Sequence, residues 1–206
     1  MINKETKIYC SFSSNPGNNG CVFFNSEFKE LNMNAIYKSF YSDDIKKSIE
    51  AVKSLGIKGF ALSMPFKIEA LDYVDEVEDS ARKIGSINTV VNKDGYLKGY
   101  NTDWVGVKKY FKKNNFDLIY IIGNGGFSKA IQYTCNVMGI RFEVITRENW
   151  NIIEELEDKI IFNATPVDVK TDNFLIDGRP YTDTGREIAL HQAKEQFKIY
   201  TGVEID

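Results

Sequence analysis

The chain has one histidine, His191, and three cysteines, Cys10, Cys21 and Cys135, among 206 residues. One histidine and three scattered thiols make no metal-ligand cluster, so no metal is expected. An odd number of widely spaced cysteines builds no disulfide framework, and reduced thiols in a cytoplasmic setting are expected. Cys21 reads as a packed side chain rather than a nucleophile. No apolar run approaches the ~18 residues of a membrane helix, and residues 1–10 lack the apolar core of a secretory signal. There is no block of Lys or Arg, and the formal net charge of −3 is spread along the chain. Neither nucleic acid nor an anionic membrane is an expected partner.

What is present suits a globular protein with a real core: 43% apolar and 27% charged residues. The length fits one large domain or two small ones. Residues 7–12 and 34–40 are short runs rich in Ile, Tyr and Phe and read as strands. Residues 25–31 have helical spacing. Residues 42–56 predict a clearer helix: Ser42 as N-cap, an apolar stripe of Ile45, Ile49, Val52 and Leu55, and Gly56 as the stop. Residues 58–62 are the next strand. Strand, helix, strand, helix, strand argues for a parallel sheet covered by helices. Two β-rich runs then flank Asp94-Gly95, a hairpin turn pair. A helix is expected from Trp104 to about Lys113, and the polar residues 112–115 read as a hinge. A second α/β unit follows: strand, glycine turn and helix over residues 117–139, a strand over 141–147, a helix over 151–158, a strand over 159–166, and a further strand at 173–177. Residues 185–202 read as one amphipathic helix.

Three features carry chemistry. In "GNGGFS", residues 123–128, glycines leave backbone N–H groups open to a pyrophosphate at a helix N-terminus. The same stretch also suits a plain tight turn, since Ser128 stands where the last glycine of G-x-G-x-x-G would be. The next strand ends in Thr146, Arg147 and Glu148. An arginine there suits the 2′-phosphate of NADP and equally suits a solvated surface. Finally, "GFALSMPFKIEAL", residues 59–71, puts Ser63, Pro65 and Lys67 at the end of a core strand. Asp103 ends another strand 36 residues later. Such a pair could share a proton network, or be two unrelated charges.

A set of motifs in fixed order resolves these alternatives. The chain resembles the shikimate dehydrogenase family. The family pattern N-V-T-x-P-x-K is seen as Ala61-Leu62-Ser63-Met64-Pro65-Phe66-Lys67, and G-A-V-N-T as Gly85-Ser86-Ile87-Asn88-Thr89. G-x-N-T-D-x-x-G is seen as Gly99-Tyr100-Asn101-Thr102-Asp103-Trp104-Val105-Gly106. The loop G-x-G-G-x-x-x-A occupies residues 123–130, N-A-T-P residues 163–166, and Q-A-x-x-Q-F residues 192–197. The resemblance implies a catalytic pair, Lys67 and Asp103. It implies substrate-binding roles for Asn88, Asp103 and Gln192, with Ser63 in place of a threonine. It implies an NADP site made of Gly123, Asn124, Gly125, Gly126, Phe127 and Ser128, with Thr146, Arg147, Asn163 and Thr165. His191 matches no catalytic position.

Two departures shape the expectations. The family's S-x-S-P, which holds the substrate carboxylate, aligns with Asn18-Asn19-Gly20-Cys21. Asn18 is left as a donor, Gly20 is a position where a positive φ would bar serine, and "SFSS" upstream is a further source of hydroxyls. This is similar to the shikimate dehydrogenase-like subgroup. Second, about 19 residues replace several strands and helices between N-A-T-P and the last helix. The expected architecture is therefore α/β in two lobes. A parallel-sheet substrate lobe spans residues 1–102, and a shortened Rossmann-type lobe spans 103–185. A C-terminal helix, 186–206, returns to the first lobe. The implied function is NADP-dependent oxidoreduction of a cyclic hydroxy acid, shikimate or a relative such as quinate, in aromatic amino acid biosynthesis. The alternative is a weakly active or inactive member that binds ligand or regulates.

Overall fold

The chain begins with β1 (Lys7–Ser13), α1 (Asn19–Glu30), β2 (Ala35–Tyr41), α2 (Ile45–Leu55) and β3 (Gly59–Leu62). The structure is a computed structural model and describes residues 2–205. β1 lies between β2 and β3 and is parallel to both, the outcome expected of consecutive βαβ units. A short 3₁₀ turn (Glu69–Tyr73), β4 (Glu76–Val77) and α3 (Asp79–Ile84) follow. A two-residue strand and a six-residue helix are too short for periodicity to show in the sequence. The hairpin of β5 (Thr89–Lys93) and β6 (Tyr96–Tyr100) then adds antiparallel strands. Asp94 and Gly95 both have positive φ, 52° and 97°, as a two-residue hairpin turn needs. The sheet, in the order β2-β1-β3-β5-β6-β4, is therefore mixed rather than wholly parallel.

In α2 the cap is Asp44, not Ser42. The Asp44 carboxylate accepts from the Lys47 N–H at 3.0 Å. Ser42 Oγ instead lies 2.8 Å from Ser48 Oγ and accepts from the Asp44 N–H, shaping the turn before the helix. Ile45, Ile49 and Val52 are buried, each contributing about 1.5–3 kcal/mol of apolar burial. Leu55 is 71% exposed. At 3.6 residues per turn it sits roughly 80° round from Ile45, off the stripe. Asn25 ties α1 to β2: it donates to the Cys21 and Tyr37 carbonyls and accepts from the Tyr37 N–H. All three cysteines are free, Cys10 and Cys135 are buried, and burial pushes the Cys135 thiol up to about 12.

The second sheet is wholly parallel, in the order β10-β9-β7-β8. Its elements are α4 (Asp103–Phe111), β7 (Leu118–Ile122), α5 (Gly126–Met138), β8 (Arg141–Ile145), α6 (Ile152–Glu155), β9 (Ile160–Asn163) and β10 (Phe174–Asp177). The chain closes with α7 (Asp183–Thr201). Contacts divide the protein into two units. One comprises the residues up to Thr102 and those from Ala193 onward; the other is Asp103–Gln192. Residues 112–115, expected as a hinge, lie inside the second unit. There the Asn114 N–H closes on the Phe111 carbonyl at 3.0 Å and helps end α4. Within that unit α4 packs tightly on α7 at Gly106, where an added Cβ would lie 2.6 Å from the Ile188 carbonyl oxygen.

Candidate functional site

In the first unit β3 stops at Leu62. The Ser63 N–H still bonds the Phe12 carbonyl at 3.1 Å, and Pro65, which lacks an N–H, cannot continue the ladder. The Met64–Pro65 peptide is cis. Phe66 is buried in the core, and the Ile87 N–H holds the Lys67 carbonyl at 2.8 Å. Half-buried Lys67 is thus fixed on both sides, while Ser63 remains exposed. The serines of "SFSS" are committed to bracing this region. Ser11 Oγ donates to Ser39 Oγ at 3.1 Å, and Ser13 and Ser14 both donate to the Met64 carbonyl. Asn18 is exposed at the N-cap position of α1, and its side chain makes no cap bond. Gly20 is helical and not at positive φ, so its backbone angle does not bar serine. Its constraint is the Tyr37 ring, 3.0 Å from where a Cβ would sit.

Asn88 sits just before β5 and is 2% exposed. Its Oδ1 accepts from the Thr102 N–H at 2.8 Å, from Thr102 Oγ1 at 3.2 Å and from Thr89 Oγ1 at 2.8 Å. Its Nδ2 donates to Thr102 Oγ1 at 3.0 Å. Gln196 of α7 donates to Thr89 Oγ1 at 2.8 Å and to the Asn88 carbonyl at 3.2 Å. Thr89, Thr102 and Gln196 carry no role on sequence grounds alone. The available signal was a second glutamine four residues after Gln192, one helical turn on.

In the second unit β7 lies between β8 and β9, so the sheet has its switch point there, and ligands of such sheets bind at the strands' carboxyl ends. Three loops meet at that edge. The glycine turn leaves β7, with Gly123 at φ 105°. A Cβ on Gly123 would lie 2.8 Å from Thr165 Cγ2 of the loop after β9, so glycine sets how closely the two loops approach. Asn124 and Gly125 are exposed, and Gly125, in extended conformation, is the N-cap residue of α5. Ser128, buried where a glycine is more usual, donates to the Gly123 carbonyl at 2.6 Å and staples the turn. The Phe127 ring packs edge-on against Phe162.

Asn163 is buried. It donates to the Val167 carbonyl and accepts from the Thr165 N–H and hydroxyl, fixing the loop after β9. After β8, Thr146 accepts from the Glu148 N–H and exchanges bonds with Asn149. Arg147 follows, exposed. Half-buried Gln192 and His191 lie on α7; His191 Nε2 is 3.8 Å from Glu187 Oε1. Asp103 begins α4 and is buried.

The segment after β10 was not foreseen. Arg179 grips Asp177 through both carboxylate oxygens, bonds Asp168 at 2.8 Å, and lies over the Tyr181 ring. The Thr182 and Thr184 hydroxyls donate to the Asp177 carbonyl at 2.7 Å. This clasp carries the chain directly from β10 into α7.

Residues 20–90 match the family model described as the shikimate dehydrogenase substrate binding domain. The chain is 42% identical over 134 residues to a shikimate dehydrogenase-like protein of Haemophilus influenzae, covering 64% of this chain and 49% of that one. The chain thus spans about half the length of that curated relative. A shikimate dehydrogenase (NADP(+)) of Aquifex aeolicus is 30% identical over 261 aligned positions, covering 100% of this chain and 95% of the relative. The crystal structure of shikimate dehydrogenase from Aquifex aeolicus shares the fold at a TM-score of 0.85, with 26% identity, over 100% of this chain and 96% of that one. Similarity reaching from the strand-end lysine turn through the glycine loop to the final helix, in sequence and in fold, means that this chain belongs to the shikimate dehydrogenase family.

Proposed function

We propose that the protein is an NADP-dependent oxidoreductase that interconverts a secondary alcohol and a ketone on a cyclic hydroxy acid, with shikimate as first candidate substrate. The observation that carries this reading is the rigid presentation of Lys67 at the end of β3, in the setting the family uses for catalysis. Lys67 Nζ gives a proton to the carbonyl oxygen in reduction and takes it from the hydroxyl in oxidation, and the family resemblance makes Asp103 the second member of the catalytic pair. Asn88 and Gln192 recognise ring hydroxyls, and Ser63 offers a further hydroxyl.

The second unit has residues that fit NADP. The glycine turn at the start of α5 matches the family's pyrophosphate loop, and α5 has no acidic residue in its first turn to repel a phosphate. Exposed Arg147 suits a 2′-phosphate, and Thr165 and Asn163 form the opposite loop. When bound, NADP would accept hydride from the carbinol carbon in oxidation, and its reduced form would return hydride to the ketone carbon in reduction. Asn18 alone stands in for a carboxylate pocket, because the "SFSS" hydroxyls are engaged elsewhere. A hydrogen bond to a charged group is worth roughly 1.5–3 kcal/mol, so a poor Michaelis constant for shikimate is expected.

A second reading, a weakly active or inactive ligand-binding member, is favoured by one observation: the Arg179 clasp leads straight from β10 into α7, where the family has additional elements. Measuring NADPH formation over a panel of cyclic hydroxy acids, shikimate and quinate included, separates the two. Turnover of any member supports the enzyme. Binding of NADP and a ring acid without turnover supports the second reading.

A further inference from the structure

We propose that Gln196 is a positioning residue that sets the orientation of the Asn88 amide through Thr89. The substrate-facing part of this inference rests on the function proposed above. The chain of bonds has a fixed direction. The Thr102 backbone N–H can only donate, so the Asn88 atom 2.8 Å away is the oxygen, Oδ1. That assignment leaves Nδ2 as the donor end of the amide, with one N–H on Thr102 Oγ1. Thr89 Oγ1 also reaches Asn88 Oδ1, at 2.8 Å, and there it must be the donor. A hydroxyl has one proton. Thr102 Oγ1, at 3.4 Å, is a longer alternative for that proton. Gln196 Nε2, a pure donor, points at Thr89 Oγ1 from 2.8 Å, occupies its acceptor side and so turns the proton toward Asn88.

The same Nε2 group donates its other hydrogen to the Asn88 backbone carbonyl at 3.2 Å, so one side chain braces the main chain and the side chain of Asn88 together. Gln196 is 4% exposed, and Asn88, Thr89 and Thr102 are buried beside it in the first unit, so a partner lost here is costly to leave unreplaced. Gln196 thus sits two bonds from the proposed substrate donor and need not touch substrate itself.

Two variants separate direction from size. Gln196→Met keeps the volume and removes the donor. Gln196→Glu keeps the shape but accepts where Gln196 donates, so the Thr89 proton turns away from Asn88. The first measurement uses the unliganded protein: the side-chain amide signals of Asn88 in the ¹⁵N spectrum, identified by their loss in Asn88→Ser. Both variants are expected to shift and broaden those signals while the melting curve stays cooperative, and Thr89→Val is expected to do the same.

The second measurement is shikimate affinity. Each single change is expected to weaken it about tenfold, with kcat altered less than the Michaelis constant. The Thr89→Val, Gln196→Met pair should cost no more than either alone, as for two breaks in one chain. Unaltered Asn88 signals in both Gln196 variants, or fully additive losses, would overturn the proposal. If the native protein binds no shikimate, the functional reading fails, while the amide spectrum still decides the role of Gln196.

Discussion

Gly59 of β3 and Tyr200 of α7 are in such close contact that a Cβ added to the glycine would lie 2.8 Å from two carbons of the tyrosine ring. Tyr200 packs at a tilt against the Tyr9 and Phe24 rings, which fixes the C-terminal turns of α7 on the first unit's sheet. The contact therefore seats the helix that carries Gln196. Gly59→Ala must push this ring aside, and overpacking of that kind costs about 1–3 kcal/mol. Denaturant unfolding should show a loss of this size. An unchanged midpoint would mean the ring yields freely.

Tyr200 offers a contrasting test. Its hydroxyl is buried and has no hydrogen-bond partner among the described residues, and burial pushes the phenol well above its ordinary pKa. An unsatisfied polar group costs stability, so removing it is favourable or neutral. Tyr200→Phe should melt at or above the native temperature. A clear drop would reveal a partner such as an ordered water.

Acid should loosen the segment that leads to Asn88. Glu78 caps α3: its carboxylate accepts from the Ser80 and Ala81 N–H groups and from the Ser80 hydroxyl. Burial alone would raise its pKa. The hydrogen bonds of Ser80 and Ala81 outweigh that and hold it below its ordinary 4.5. A depressed folded-state value means that the stabilisation is fully present above pH 4.5 and fades as pH falls through the lower value. Glu78→Gln should flatten this part of the stability–pH curve relative to the native protein. Parallel curves for the two proteins would remove Glu78 as the source.

Loss of the strand-end lysine tests the chemistry. Lys67→Ala should lower turnover by ~10²–10⁴-fold, the usual range for acid–base assistance. Its carbonyl bond to Ile87 is made by the backbone, so the turn and NADP binding should survive. Near-native turnover would take Lys67 out of the mechanism.

Cofactor choice should depend on Arg147. NADP is expected to bind more tightly than NAD, and Arg147→Ala to erase at least about tenfold of that preference, the equivalent of roughly 1.5–3 kcal/mol. Because Arg147 is exposed, the preference should weaken with added salt. Superimposable titrations of the native protein with NADP and NAD would sink the assignment.

The sequence alone determined the elements whose signal is local. The stripe of Ile45, Ile49 and Val52, the Asp94-Gly95 turn and the glycine turn at residue 123 follow from helical period, positive φ and strand-to-helix order, so they could be read directly. The motifs around Lys67, Asn88, Asp103 and residues 163–166 were legible for the same reason: each is a contiguous run. Tertiary structure decided what depends on partners distant in the chain. Gly20 owes its identity to Tyr37 rather than to its own backbone angle. The sheet became mixed only when β5 chose β3 as its neighbour. The link from Gln196 to Asn88 spans 108 residues, so the spacing of Gln192 and Gln196 could mark a helix face but not name the partner. Hydrogen bonds and close packing act over a few ångströms of space, whatever the separation in sequence, and only the folded chain brings those groups within that range.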